Sequence, residues 1–428
     1  DTLKSKAKGE ELRNQKETEQ INKPEKQTKI PRQKIIEKEE EAPKRKKNKG
    51  TELVLRNLQT NKESHYSDVT SYFFSNDGKW LIYVASNKDS TSDGIYAVRV
   101  KTGTVDPILT GPGDYTQVTL DEASKQVSFL SNRDDYLADQ PSFTLYWWKI
   151  ASDAPKALAT EGTKGIPNGW WVSQHGKVSF SKMGKRLFFG TTPRPNPESQ
   201  EKKVLVELWN WKDPIIQSRK RKLFKKERER SFLAVIHLNR GRVVQLATEA
   251  IPQVKTGSYG DSDIAVGISD IPYQTLSSWD LTYNDIYLVE VSTGKHHRVL
   301  EKLSWGADLS PKSNYLTWWD RKKSSWFAMD VRSHRKVNLT IQIPTPVHNE
   351  LHDLPYGPND HGNAGWMKKE KAFIIYDRYD IWATDPTGNH APFNITKGIG
   401  RANGLRLRYV QLNPDKKMID PEEPVLIS

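Results

Sequence analysis

From Thr51 onward, apolar and polar positions alternate in short runs rich in β-branched and aromatic residues, and each run is closed by turn residues. A period of two with such composition predicts strands, because successive side chains point to opposite faces of a sheet. FSNDGKWLIYVAS (74–86) reads as a strand, an Asp-Gly hairpin turn and a returning strand. Related phrases follow at TLDEASKQVSFLS (119–131), FSKMGKRLFFGTT (180–192), LSPKSNYLTWWD (309–320) and WMKKEKAFIIYD (366–377). After each comes a second hairpin with a Thr-Gly-like turn. GIYAVRVKTGTVDPILT (94–110) and DIYLVEVSTGKHHRVLE (285–301) are the clearest copies, and WFAMDVRSHRKVNLT (326–340) is a looser one.

The unit is therefore four antiparallel strands, recurring with almost no helix between copies. That pattern predicts an all-β chain built as a β-propeller of four-stranded blades, with WD40-like repeats. Six fuller blades are expected, with a half-blade at each end, about seven in all. ELVLRNLQTNKESHY (52–66) supplies two strands of one half-blade, and 405–428 supplies those of the other. The two halves close a ring by pairing, or the chain is a piece of a larger ring; the pattern allows both. Within YDRYDIWATDPTG (376–388), Tyr376 ends a second strand, DIWATD is a third, and Asp385 to Gly388 form the next turn. Ile381 is expected to face the neighbouring sheet and Trp382 the other side. Asp377, Arg378 and Asp380 fall in the loop, where an Arg flanked by Asp ties blades together through charge-assisted hydrogen bonds.

Composition changes the picture at the N-terminus. Residues 1–50 are Lys- and Glu-rich with few apolar side chains, too few to offset the entropy of ordering, so this segment is expected to be disordered. The propeller is assigned to 51–428, with a charged, helix-prone insertion at 213–231. The net charge of +13 is concentrated. Residues 1–50 hold 16 Lys/Arg against 10 Asp/Glu, and RKRKLFKKERER (219–230) holds eight against two, leaving +1 for the rest. A nucleic-acid reader spreads its basic residues over a structured face, so nucleic acid is not an expected partner. No apolar run is long enough to span a membrane. With no Cys there is neither disulfide nor thiolate chemistry.

Other chemistries find little support. HNELHD (348–353) sets two His four apart, yet Asn349 stands where a metalloprotease helix needs Glu, and prolines at 344, 346 and 355 oppose a helix. His296 and His297 read as the start of a strand, and no metal site is expected. YGPNDHGNAGW (356–366) is Gly-rich with no helix after it, so no phosphate cradle and no cofactor are predicted.

Several longer phrases carry a resemblance. LWNWKD (208–213), SNRDDY (131–136), GWWVSQHGKVSFSKMGKRLFFGT (169–191), YDRYDIWATDPTG and GRANGLRLRYVQLNPDKKMIDPEEP (400–424) resemble the propeller of bacterial prolyl-oligopeptidase-family (S9) serine peptidases. The likeness runs from Thr51 to Ser428. It implies a propeller that admits and positions peptides for a C-terminal α/β-hydrolase domain, and a bacterial periplasmic or envelope location. The family's nucleophile lies in G-x-S-x-G, on a strained strand-to-helix elbow. No such pentapeptide occurs here; GISDI (267–271) lacks the last Gly. The chain thus reads as an internal piece of a peptidase or a degenerate relative, inactive alone and without catalytic residues of its own.

Two function classes remain at this level. One is the gating propeller of a peptidase, partnered by peptides and a hydrolase domain outside this chain. The other is a stand-alone propeller scaffold binding a protein or peptide in the bacterial envelope. For either, loop and channel-edge groups are the contact candidates: Arg133, Asp134, Asp353, Tyr356, His361 and Arg378.

Overall fold

The computed structural model describes residues 47–150, 152, 154–195, 210 and 213–428. Residues 1–46 of the Lys/Glu-rich segment, and most of LWNWKD, lie outside the described residues. Six sheets of four or five strands follow one another among the described residues, antiparallel apart from one added strand in the sixth, and each is a meander whose strand order is mainly its sequence order. This is the predicted β-propeller architecture. The second sheet, with strands Tyr115–Leu120, Gln126–Ser131, Thr144–Lys149 and Lys156–Ala159, is representative. Its third and second strands are apolar on both faces, because this sheet lies between the first and the third.

Hydrophobic clusters join consecutive sheets. Ile82, Ile95 and Ala97 of the first sheet pack with Val127, Phe129 and Trp148 of the second. Leu130 and Leu145 of the second meet Leu187, Phe189 and Ile236 of the third, and Phe188 and Val235 of the third meet Ala265 and Val289 of the fourth. Val266 and Leu288 continue to Leu316 and Trp318 of the fifth, and Trp319 and Trp326 continue to Trp366, Phe373 and Trp382 of the sixth. Aromatic rings dominate this last contact: Trp326 meets Phe373 edge-on at 5.3 Å between centroids, and Trp366 lies 5.1 Å from Phe373.

A polar belt accompanies the clusters. The turn between the first two strands of each sheet reaches the corresponding turn of the next. Asn76 N–H donates to Ser124 Oγ (2.9 Å), Gln126 Nε2 to Gly184 O (3.1 Å), and Met183 N–H to Asp261 Oδ2 (3.0 Å). Ser258 Oγ donates to Pro311 O, and Lys312 N–H donates to the buried Glu370 carboxylate, which also accepts from Asn314 Nδ2 at 2.8 Å. These contacts are short-range and regular, and they hold the sheets in register with one another.

The terminal segments each make their own pairings. Thr51–Arg56 pairs with the first half of the long strand Glu63–Phe74, whose second half opens the first sheet. The half-blade is therefore fused to its successor by one bent strand. At the other end Tyr409–Val410 pairs with Leu426–Ile427, and Met418–Ile419 lies parallel to Asn363–Met367. Among the described residues neither terminal segment pairs with the other. Thr51–Arg56 finds its partner across a short loop, which costs little closure entropy. Leu407 and Ile419 instead cover Ile374, Tyr376 and Ile381, the face of the sixth sheet turned away from the fifth. Trp382 faces the fifth sheet, so the expected sides of Ile381 and Trp382 are reversed. The large ring fills the gap among Trp319, Trp326 and Trp366 that the smaller Ile would leave open.

Phe129 is fully buried between the first and second sheets. Phe129→Ala is expected to lower unfolding stability by about 3–5 kcal/mol, read from the urea midpoint. A loss under about 1 kcal/mol, the range of an exposed site, would contradict inter-sheet burial there.

Candidate functional site

The loop Asp377–Asp380 is built by its two carboxylates. Asp377, fully buried, accepts from the amides of Tyr379 (2.7 Å) and Asp380 (2.6 Å) through one oxygen. Its other oxygen accepts from Thr345 Oγ1 (2.7 Å) and Trp382 Nε1 (3.1 Å). Asp380, also buried, accepts from Thr396 Oγ1 (2.6 Å) and from the Gly400 and Arg401 amides (3.0 and 3.1 Å) at the start of the short helix Ile399–Asn403. The loop is thereby locked to the 339–362 connection on one side and to the C-terminal segment on the other. Burial pushes the Asp377 carboxyl up, but the donated hydrogen bonds outweigh it and hold the group below its ordinary value.

On this frame stands a cluster of cations. Arg378 and Arg401 both reach Glu350, at 3.5 and 3.3 Å, and Tyr379 lies between them with guanidinium-to-centroid distances of 5.3 and 5.1 Å. Arg401 also lies 3.6 Å from Asp377. Arg408 stacks on the Tyr376 ring at 4.4 Å and donates to Asp377 O at 3.0 Å. Burial, then the neighbouring Arg406, pushes its guanidinium pKa down. His361 joins the group: burial and then Arg408 hold its imidazole below the usual value, against the opposing pull of Glu350. It is accordingly neutral near pH 7. Arg401 Nε and His361 Nε2 are buried without a hydrogen-bond partner among the described residues. Arg378 and Arg401 keep about a third of their side-chain surface exposed (36% and 35%), so the cluster opens to solvent.

Of the six residues singled out from sequence, His361 and Arg378 meet here. The other four do not. Arg133 bonds Asp134 (3.2 Å) and Thr110 O (3.0 Å), while Tyr146 donates to Asp134, in a loop at the first and second sheets. Burial, then that hydrogen bond, pushes Tyr146 up to about 12. Tyr356 lies under the Arg321 guanidinium at 5.3 Å, and Asp353 is exposed in the same long connection. Glu350, Arg401 and Arg408 were missed. The only local signal for the two arginines is three arginines within 401–408, a stretch that overlaps the start of the 405–428 half-blade expected from periodicity.

Cavities lie elsewhere. One of about 600 Å³ is lined by Gln117, Gln174, His175 and lysines of the helix Gln217–Arg228. Another of about 370 Å³ is lined by Thr256, Tyr259, Asp308, Trp366 and Lys417, from the fourth, fifth and sixth sheets and the C-terminal segment. Among the described residues no serine hydroxyl bonds an imidazole, and no three His, Asp or Glu side chains converge as metal ligands. No helix there is long and apolar enough to cross a membrane.

No family model matches the chain, and no curated protein does. Solved structures are similar at low identity. Dipeptidyl peptidase 4 of Porphyromonas gingivalis shares 10% identity, with 86% of this chain and 52% of that one covered and a TM-score of 0.40. The β-propeller domain of the Trilobed protease from Pyrococcus furiosus shares 11%, covering 83% and 92%, with a TM-score of 0.32. TolB from Acinetobacter baumannii shares 10%, covering 80% and 75%, with a TM-score of 0.28. This chain spans about half the length of the dipeptidyl peptidase. At such identities neither a substrate nor an activity passes from these proteins to this one.

Asp377→Ala is expected to cost about 3 kcal/mol at neutral pH, since it strands several buried donors. The folded carboxyl titrates below its unfolded value of about 3.9. Its contribution is therefore fully present above the unfolded value and is lost as pH falls through the folded one. Urea unfolding over a pH series should show the gap between wild type and variant closing on acidification. A gap that persists unchanged below about pH 3 would contradict an ionised Asp377 in the folded protein.

Proposed function

We propose that this chain is the non-catalytic propeller portion of a prolyl-oligopeptidase-like (S9) serine peptidase, receiving peptide segments and positioning them for a hydrolase domain outside this chain. The observation that carries the reading is the loop-borne cation cluster. Arg378 and Arg401 share Glu350, Arg401 also lies 3.6 Å from Asp377, and among the described residues Arg401 Nε has no hydrogen-bond partner. Guanidinium groups in this state suit a peptide carboxylate, which accepts two parallel N–H bonds. A rigid frame below the cluster, fixed by Asp377 and Asp380, lowers the entropy cost of such binding. The sequence phrases shared with peptidase propellers, and the lack of G-x-S-x-G, support binding and admission in place of bond cleavage.

Two measurements test this. An active-site fluorophosphonate probe should label no serine of the purified chain, because an unactivated hydroxyl is a weak nucleophile. Stoichiometric labelling that vanishes with one Ser→Ala change would overturn the non-catalytic assignment. In fluorescence anisotropy, peptides with a free C-terminal carboxylate should bind more tightly than their amidated forms. Arg401→Ala or Arg378→Ala should remove most of that difference, about tenfold or 1.4 kcal/mol. Equal binding of free and amidated peptides would sink the carboxylate site. High-affinity capture of one folded protein with no response to short peptides would favour the envelope-scaffold reading.

A further inference from the structure

In the first, third and fourth sheets the second hairpin turn is made the same way. Gly103, Gly241 and Gly294 stand at positive φ (72°, 61° and 75°), and each amide donates to the carbonyl four residues earlier at 2.8 Å. In the fifth sheet the same place is held by His334, with φ at 59° and the same 2.8 Å bond, to Asp330 O. A side chain in this left-handed conformation is strained relative to glycine, and strain that persists often marks a functional position. The turn is otherwise well fixed, since the Asp330 carboxylate accepts from the amides of Arg332 (3.1 Å) and Ser333 (2.7 Å).

What the substitution achieves is a meeting with the neighbouring sheet. His334 Nε2 lies 3.2 Å from Nε2 of His297, in the outer strand His296–Leu303 of the fourth sheet. Two imidazole nitrogens bound to one zinc at about 2.0–2.1 Å, with an angle near tetrahedral, stand roughly 3.1–3.4 Å apart. The ring centroids are 4.9 Å apart at an interplanar angle of 35°. Rings whose lone pairs converge on one ion at that bond length have centroids about 5 Å apart, whereas a head-on N–H···N bond of the same N···N distance puts them at roughly 5.5 Å. The observed separation fits convergence.

The geometry points to a two-histidine clamp, His297 and His334, for a borderline divalent transition-metal ion of the Zn²⁺, Ni²⁺ or Cu²⁺ class, joining the fourth sheet to the fifth. Imidazole suits these ions, and water completes the coordination. With no ion bound, one Nε2–H donates to the other ring's lone pair. Binding requires that this imidazole carry its proton on Nδ1 instead, with no net proton release from a neutral pair. The surrounding charges are mixed. Lys336 is engaged with Val299 O (3.0 Å), and Arg298 with Asp285 and Glu301. His296, Lys295, Arg332 and Arg335 are exposed around the pair, and Glu290 accepts from Thr293 Oγ1 at 2.7 Å. These cations temper affinity and make it rise with ionic strength, opposite to a site built from carboxylates.

The decisive variant is His334→Gly, which installs the residue found at this place in the first, third and fourth sheets. Chelator-treated full chain is titrated calorimetrically with ZnCl₂ and NiCl₂, and its thermal midpoint is read with and without metal. The wild type should bind one ion per chain at the clamp and gain thermal stability with it. His334→Gly should raise the midpoint of the metal-free protein yet weaken binding by more than the roughly 10–100-fold that loss of an outer-shell partner costs. His297→Gln should weaken it equally without the gain in stability. With Cu²⁺, electron paramagnetic resonance should show coupling to two nitrogens in the wild type and fewer in either variant. Binding unchanged in both variants, or no binding by the wild type, would overturn the clamp.

Discussion

Everything in this protein depends on burying both faces of each sheet. A four-stranded meander whose central strands are apolar on both sides is not stable alone, and it becomes so only between two neighbours. The clusters from Ile82 and Phe129 through Phe189, Val289 and Trp318 to Trp326 and Phe373 are one continuous solution to that problem, passed from sheet to sheet. The hairpin turns follow from it. Once faces are packed, the turns lie within hydrogen-bond reach, and Asn76, Gln126, Met183, Ser258 and Lys312 each bond the next sheet's turn.

The two ends of the series show what happens when a neighbour of the same kind is lacking. The sixth sheet's outer face is covered by irregular chain, with Leu407 and Ile419 packed on Ile374, Tyr376 and Ile381. That covering segment brings Arg401 and Arg408 to the Asp377–Asp380 loop. The cation cluster is thus a consequence of how the last sheet is closed off. At the first sheet, Tyr83 stacks on Tyr96 and meets Tyr66 at a tilt on the corresponding face, with centroids 5.1 and 5.3 Å apart. Burial there pushes Tyr83 up to about 12.

Strands and turns were legible because alternation and Gly-containing turns are local signals. The Asp77-Gly78 turn and the strand Trp80–Ala85 lie where FSNDGKWLIYVAS puts them. Contacts between sheets were not legible in the same way. Whether Trp382 or Ile381 faces the fifth sheet depends on the shape of the gap beside Trp319 and Trp326, which no periodicity encodes. The Arg-flanked-by-Asp motif was read as a tie between blades, yet its two carboxylates chiefly fold their own loop and anchor flanking segments. His361 and Arg378 were found from loop position, while Glu350, Arg401 and Arg408 required the path of the C-terminal segment. His297 and His334, 37 residues apart, meet only through the packing of two sheets.

Hydrogen exchange with and without a saturating free-carboxylate peptide tests the central claim, that this propeller binds peptide through the cation cluster without chemistry of its own. Exchange reads local opening, and binding slows it where the ligand orders the chain. Slowed exchange is expected in the segments around Glu350, the 376–381 loop and 399–408, with the peptide recovered intact. Protection confined to other sheets, or a cleaved peptide, would contradict the account.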